Sequence, residues 1–413
     1  MKTNRIGLFG LGCVGLGLYQ LLQATGSADL SIYKVVVKDP DKPRLIPPEL
    51  LSLNANDILE NDSIDLVVEA IDDADAAWEI VSAALRKGKP VVTANKKMVA
   101  THLQQLTALQ QETGTPLLYE AAVCGAIPIV RSIDNYFSNE PIRSLSGIFN
   151  GTSNYILSKI FNERLDYSLA LKQAQDLGFA ETDPTADVGG FDAKYKLIIL
   201  ALHAFGIVLQ PSRILNIGID RLSGDDIQYA RKNGWKIRLV PALTSTADGV
   251  TGYVIPRFVK TTERLFGIEN EHNAVEVESV FSGTQFFTGK GAGAFPTAAA
   301  VLADLRDIAR GRRYDYTRLS SPASVLDSSQ VQLEIYLRYS DPALVKALNF
   351  STISEGTLDG RYKHVTGYVS LDSLLKCNAL IVRDTATVIH TGQSKVIKKS
   401  ILKEELVAES QEL

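Results

Sequence analysis

Residues 180–200 read AETDPTADVGGFDAKYKLIIL. Glu181, Asp183, Asp187 and Asp192 crowd together there and lead straight into an apolar run that carries Lys196. On a helix Asp192 and Lys196, four residues apart, share a face and can touch. The run Leu197–Leu202 is apolar all round, which implies burial. A lysine in such surroundings must be paired or must have its ammonium form disfavoured by desolvation, the device that lets a lysine exchange a proton near neutral pH. A purely structural ion pair fits the same spacing. Ionised acids such as Glu181 and Asp187 would hold a substrate bearing an ammonium group and repel an acidic one, so the stretch hints at an amino acid. Asp183, beside Pro184, reads as a turn or cap residue, and Lys194 as a solvated neighbour.

A second lysine lies in TANKKM, Thr93–Met98, at the C-terminal end of a strand pattern. Open α/β sheets bind their ligands at such ends. Thr93 and Asn95 suit the nicotinamide half of a dinucleotide and Lys96 suits the substrate, although periodicity alone does not separate site from surface for Lys96. The dinucleotide itself is suggested by GLGCVG at Gly10–Gly15, which follows a strand and opens a helix. Gly10 permits the tight turn, Gly12 lets backbone approach a pyrophosphate, and Gly15 allows close helix–strand packing. The next strand ends in KDPDKPR, where an acid favours NAD and a base accommodates the 2′-phosphate of NADP. Lys38, Lys42 and Arg44 surround Asp39 there, which favours NADP and leaves NAD as the alternative. Hydride transfer between a nicotinamide and an alcohol needs one positioned acid/base, so these pieces spell an oxidoreductase.

The elements that must position them follow from periodicity. Through residue 120, buried strand patterns (Arg5–Gly10, Ile32–Val37, Ile64–Ala70, Pro90–Thr93, Leu117–Glu120) alternate with helices (Val14–Ala24, Asp73–Arg86, Val99–Glu112). Continuous apolar strands between amphipathic helices predict a parallel sheet covered on both faces. The chain is therefore read as α/β, a Rossmann-type doubly wound domain over 1–130, completed by a helix returning at about 294–320. An α+β substrate-binding and dimerisation domain follows over 131–293, with a helix at Ile127–Phe137 and strands at Ile142–Phe149, Ile237–Leu243, Tyr253–Ile255 and Val275–Phe281. Residues 330–413 read as a small separate α/β module, ending in a charged tail from Lys395.

Composition excludes several classes. A net charge of −4, with cations scattered among acids, leaves no footprint for nucleic acid or an anionic membrane. No stretch reaches the length of an apolar membrane span, and the glycines of 7–17 argue against a signal peptide. Cys13, Cys124 and Cys377 lie far apart, without metal-ligand or disulfide spacing, which suits a reducing cytoplasm.

Taken together, GLGCVG, TANKKM, YEAAVCGAIPIV, GIFNGTSNYIL, LGFAETDPTADVGGFDAKYKL and GKGAGAFPTAAAVLADL resemble homoserine dehydrogenase in order and spacing over roughly residues 5–312. The resemblance implies NAD(P)-dependent interconversion of L-homoserine and L-aspartate 4-semialdehyde, on the route to threonine, methionine and isoleucine. It matches Lys196 and Lys96 to the active-site lysines, Lys196 as proton donor, and Glu181, Asp192 and Asp187 to the substrate-binding acids. Gly12, Val14, Thr93 and Lys96 match cofactor contacts, joined by Gly178 and Gly291 from the other side. A monovalent cation, Na+ or K+, is implied at Glu120, Val123, Gly125 and Ile127, mainly through backbone carbonyls, with Cys124 an inert neighbour. A homodimer through the middle domain's sheet is also implied. Lys38 stands where the family often has arginine, and 330–413 has the length of its ACT regulatory domain without the usual glycine-containing ligand motif. The rival readings are another Rossmann-fold amino-acid oxidoreductase and an inactive cofactor-binding homologue, the latter expected to have lost a lysine or acid that this chain keeps.

Overall fold

In a computed structural model of the chain, residues 3–357, 363–383 and 386–397 are described. Six strands, β1 (Asn4–Phe9), β2 (Leu30–Val36), β3 (Leu51–Ser52), β4 (Leu66–Glu69), β5 (Val91–Thr93) and β6 (Leu117–Leu118), form one sheet. All its pairings are parallel and its order is β3-β2-β1-β4-β5-β6. From β1 the following strands are added towards one edge and from β4 towards the other, so the strand order reverses between these two parallel neighbours and a crevice opens beyond their carboxyl ends, where doubly wound sheets bind ligands. The fully buried Ile6, Leu8, Val67, Val68, Val91 and Val92 explain why these strands are apolar without alternation.

Helices Cys13–Thr25, Ala74–Arg86 and Leu103–Thr113 cover the sheet, and Ala294–Ala309 returns to pack on the first of them. Asp73 caps the second helix by accepting hydrogen bonds from the amides of Asp75 and Ala76, both 3.0 Å. The single helix expected over Val99–Glu112 is two, Lys96–Thr101 and Leu103–Thr113, divided at His102. The helix expected at Ile127–Phe137 is a succession of tighter and wider turns, with a π-turn over Ser132–Tyr136.

The second sheet comprises β7 (Ile142–Ile148), β8 (Leu215–Asn216), β9 (Lys236–Thr246), β10 (Gly249–Val259), β11 (His272–Ser279), β12 (Gly283–Lys290), β13 (Val331–Tyr339), β14 (Thr352–Thr357), β15 (Lys363–Ser370) and β16 (Thr387–Val396). Its order is β12-β11-β7-β9-β10-β16-β13-β15-β14, with β8 beside β10. Helices Gly151–Glu163 and Phe191–Phe205 pack on it.

The C-terminal module is not separate. Its strands and helices run β-α-β-β-α-β, the ferredoxin-like order. β16 meets β10 at the pair His390 and Arg257, continuing the sheet. Side chains complete the joint: Arg338 Nε donates to both carboxylate oxygens of the fully buried Asp226 at 3.0 and 3.1 Å, and Tyr336 lies 4.7 Å from Tyr229, ring to ring. Leu215, Ile217, Tyr253 and Ile255 share one apolar core with the module's Leu333, Ile335, Leu371 and Leu374. Lys395 and Val396 end β16 rather than beginning a tail; the rest of the expected tail, from 398, lies outside the described residues.

Candidate active site

A cleft of about 360 Å3 lies between the carboxyl ends of the parallel sheet and the second domain, lined by residues of both. Its floor is made by Asp192, which is buried between two lysines. Lys96 Nζ reaches its Oδ1 at 2.9 Å, and Lys196 Nζ reaches its Oδ2 at 2.7 Å. Lys196 gives a second proton to the carbonyl of Phe149 at 2.7 Å. Two of its three N–H donors are thereby committed and the third is left for the cleft that it lines.

Local structure explains each placement. Lys96 begins the helix after β5 because Asn95 caps it, its Oδ1 accepting from the Met98 amide at 2.9 Å while its Nδ2 donates to the Ile71 carbonyl at 3.0 Å. Asp192 sits in the first turn of Phe191–Phe205, where negative charge meets the positive end of the helix dipole, and Lys196 follows one turn later. That helix starts after Gly190 at φ 79°, and a Cβ there would lie 2.7 Å from Asn216 Oδ1. Asn216 Nδ2 donates to the Gly189 carbonyl at 2.8 Å, so β8 buttresses the turn below the acids.

Charge follows geometry. Burial opposes ionisation of Asp192, yet the ammonium groups of Lys196 and Lys96 outweigh it and hold the carboxyl below the usual carboxylate range. Asp192 in turn raises Lys96, partly offset by burial, although the side chain is 43% exposed to the cleft. Burial, then the neighbouring Asp192, raises Asp187. The arrangement therefore holds a fixed anion, a shared pair of ammonium groups, and an acid poised to accept positive charge.

Of the residues singled out in the sequence, Val14, Lys96, Gly125, Gly178, Glu181, Asp187, Asp192, Lys196 and Gly291 all line this cleft. Gly10 (φ 91°) lies behind it, where a Cβ would collide with the Ala70 carbonyl at 2.5 Å; at Gly12 a Cβ would meet nothing within 4 Å, which leaves room for a pyrophosphate. A Cβ at Gly15 would strike the Gly10 carbonyl at 2.2 Å. A Cβ at Gly291 would fall 2.1 Å from the Asn273 amide. Lys38 is exposed beyond β2, outside the cleft lining, with Asp73 in its field.

Thr93, matched by the resemblance to a cofactor contact, is not among the residues that line the cleft. It is fully buried, its hydroxyl hydrogen-bonded to Glu69 Oε2 and accepting from the Asn95 amide at 3.0 Å. Thr93 thus shapes the turn that carries Lys96. The Glu120 carboxylate accepts from the amides of Val130 (2.9 Å) and Arg131 (2.8 Å) and from the Arg131 guanidinium. Arg131 continues to Asp304 at 2.8 Å and Asp307 at 3.2 Å on the returning helix. What loop 120–127 has to offer a cation is therefore backbone. Cys124 and Gly125 are consecutive residues with positive φ, and burial pushes the Cys124 thiol up to about 12, as befits an inert cysteine. Among the described residues no group of three or more His, Cys, Asp or Glu is placed to hold a metal ion.

Sequence reading missed three residues. Asn150 bonds both Asp187 and Asp192. Asn273 donates to the Phe149 carbonyl at 2.9 Å beside Lys196. Glu69, fully buried at the end of β4, is raised to about 7 by burial. A carboxylate closing the apolar run LVVE was a visible signal for the last; long-range amide contacts leave none.

Comparison with known proteins agrees with this geometry. Residues 10–120 match the family model for the NAD binding domain of homoserine dehydrogenase, and residues 128–305 match the model for homoserine dehydrogenase itself. The homoserine dehydrogenase of Bacillus subtilis is 36% identical over 77% of this chain and 75% of its own. The chain belongs to the homoserine dehydrogenase family. Such an enzyme is an oxidoreductase acting on a CH–OH group with NAD(P). The homoserine dehydrogenase of Neisseria gonorrhoeae is 33% identical over 97% of this chain and 95% of its own. A crystal structure of a homoserine dehydrogenase from Thiobacillus denitrificans superposes with a TM-score of 0.82 at 31% identity, covering 95% of this chain and 99% of that one. A hyperthermophilic archaeal homoserine dehydrogenase solved with NADPH shares the fold, with a TM-score of 0.66 at 22% identity over 76% of this chain and 99% of its own.

Proposed function

We propose that this enzyme interconverts L-homoserine and L-aspartate 4-semialdehyde, with NADP as the preferred cofactor and Lys196 as the acid/base. The observation that carries the reading is the Lys96–Asp192–Lys196 arrangement on the cleft floor. Gly10, Gly12, Val14 and Gly15 would hold the dinucleotide, with Gly178 and Gly291 closing over it and Lys38 beside the adenosine ribose. When bound, the cofactor supplies or accepts hydride at the carbon bearing the oxygen. Glu181, Asp187 and Asp192 meet the substrate ammonium. Lys196 gives its free proton to the developing alkoxide, with Lys96 adding positive charge, while Asp192 and the Phe149 carbonyl hold its ammonium in place. Reversal of the reaction returns that proton to Lys196.

The backbone carbonyls of Glu120, Val123, Gly125 and Ile127 suit a monovalent cation, Na+ or K+, since a hard ion favours oxygen donors. Those of Glu120 and Ile127 also accept from the amides of Val123 and Ile129. Lys38, Lys42 and Arg44 around the end of β2 support NADP over NAD. A cytoplasmic homodimer through the second sheet, serving threonine, methionine and isoleucine synthesis, completes the reading. Free cysteines and the lack, among the described residues, of a helix long and apolar enough to cross a membrane accord with it. The domain limits 1–130, 131–293 and 330–413 go with it, the last as a degenerate ACT-like module supported by its β-α-β-β-α-β order. The test is cofactor oxidation with aspartate semialdehyde, run with NADH and NADPH and with sodium or potassium varied. Silence with that substrate under all conditions would remove the reading.

A further inference from the structure

Asn150 follows β7 directly and precedes the helix Gly151–Glu163. Its side chain is buried and every polar group on it is used. Oδ1 accepts from the Ser153 amide at 2.7 Å, which caps that helix. Nδ2 donates to Asp187 Oδ1 at 2.7 Å and to Asp192 Oδ2 at 3.0 Å, one proton for each carboxylate. One amide therefore spans two acids that come from 37 and 42 residues further along the chain. Like charges this close oppose one another's ionisation, and burial adds to that opposition. The residue before it, Phe149, presents the carbonyl that receives Lys196 Nζ, so two consecutive residues hold the lysine and both acids.

We infer that Asn150 is the positioning residue of the substrate-ammonium site: its neutral amide binds Asp187 and Asp192 together and adds no charge to a cluster that already holds two ammonium groups. A lysine or arginine there would satisfy the same oxygens but add a third cation and neutralise Asp187, the acid that no lysine among the described residues pairs directly. An amide supplies two donors and no charge. The inference rests on the proposed reaction only for the identity of the ammonium; the clamp itself is geometric. The charged groups facing Asp187 are Asp192, Lys96 and Lys196, with Glu181 lining the same cleft.

The test separates clamp from cap. Asn150→Ser keeps a good helix cap and deletes the amide donor; Asn150→Ala deletes both. Homoserine oxidation across pH is measured for wild type and both variants. The expected result for Asn150→Ser is a KM for homoserine raised about 10- to 100-fold, KM for NADP unchanged, and the acid limb of kcat/KM moved to higher pH. A second arm needs no substrate: reductive methylation of the holoenzyme, with labelling of Lys196 read by peptide mass spectrometry. It is expected to label several-fold faster in Asn150→Ser, because Asp192 has lost its second anchor. Should serine restore everything that alanine loses, with acid limb and labelling both as in wild type, Asn150 is a helix cap and the inference is overturned. If wild type itself is silent with homoserine, the reaction is misread, and the labelling arm alone decides the clamp.

Discussion

Glu69→Gln should flatten a pH dependence that the wild-type fold carries. Glu69 is fully buried at the end of β4, bonded to the Thr93 hydroxyl and, at 2.7 Å, to the Ile71 amide. Burial raises its carboxyl from an ordinary 4.5 to about 7, against which those bonds pull only partly. The folded value lies above the unfolded one, so the fold prefers the protonated acid. Its contribution is complete below about pH 4.5 and is lost as pH rises through about 7. Between pH 5 and 8 this amounts to ~2 kcal/mol for this group alone. Glutamine keeps the shape and an oxygen for Ile71 and cannot ionise. Urea titrations at several pH values, followed by intrinsic fluorescence with Trp78 reporting from the same domain, should therefore show the dinucleotide domain of wild type weakening with pH and that of Glu69→Gln weakening less by about that amount. Parallel curves for the two proteins would refute a buried titrating Glu69.

Two further outcomes are expected. Lys196→Met should lower turnover about 100- to 10,000-fold with cofactor affinity nearly intact, because Asp192 keeps Lys96 and Asn150 as partners; near-normal kcat in that variant would take Lys196 out of the mechanism. Arg338→Ala leaves the buried carboxylate of Asp226 with the amide and hydroxyl of Ser223 but without its cation, and should cost about 3 kcal/mol, seen as a lowered melting temperature and faster proteolysis before Val331. An unchanged melting temperature would show that the shared core, the strand pairing and the aromatic contacts hold the module without this ion pair.

Much of this site was legible in the sequence because its key residues obey local rules. Asp192 and Lys196 announce themselves by helical spacing, and Gly10–Gly15 by the demands of a strand–turn–helix. The C-terminal half of the fold was less legible. The sequence pattern gives no sign of β12, since GTQFFTGK mixes small residues with apolar ones and lacks the buried run that marks an inner strand. Its position at the edge of the sheet explains that weakness. β14 is likewise an exposed edge strand. Asn150 and Asn273 act across more than thirty residues through single amides, a kind of contact for which no periodicity exists.

The manner in which the module is joined has a consequence for chains of other lengths. Its apolar core is shared with Leu215, Ile217, Tyr253 and Ile255, so these four positions lie under a roof that a shorter chain would not have. A protein with the same first two domains but ending before Val331 would present them as a greasy patch, unless they were polar or covered by something else. The character of positions 215, 217, 253 and 255 is therefore a written record, in the first two domains, of whether a chain was shaped with a third. Asn216, the neighbour of two of them, turns the other way to hold the active-site loop, so a chain that lost the module would be rewriting its surface one residue away from its chemistry.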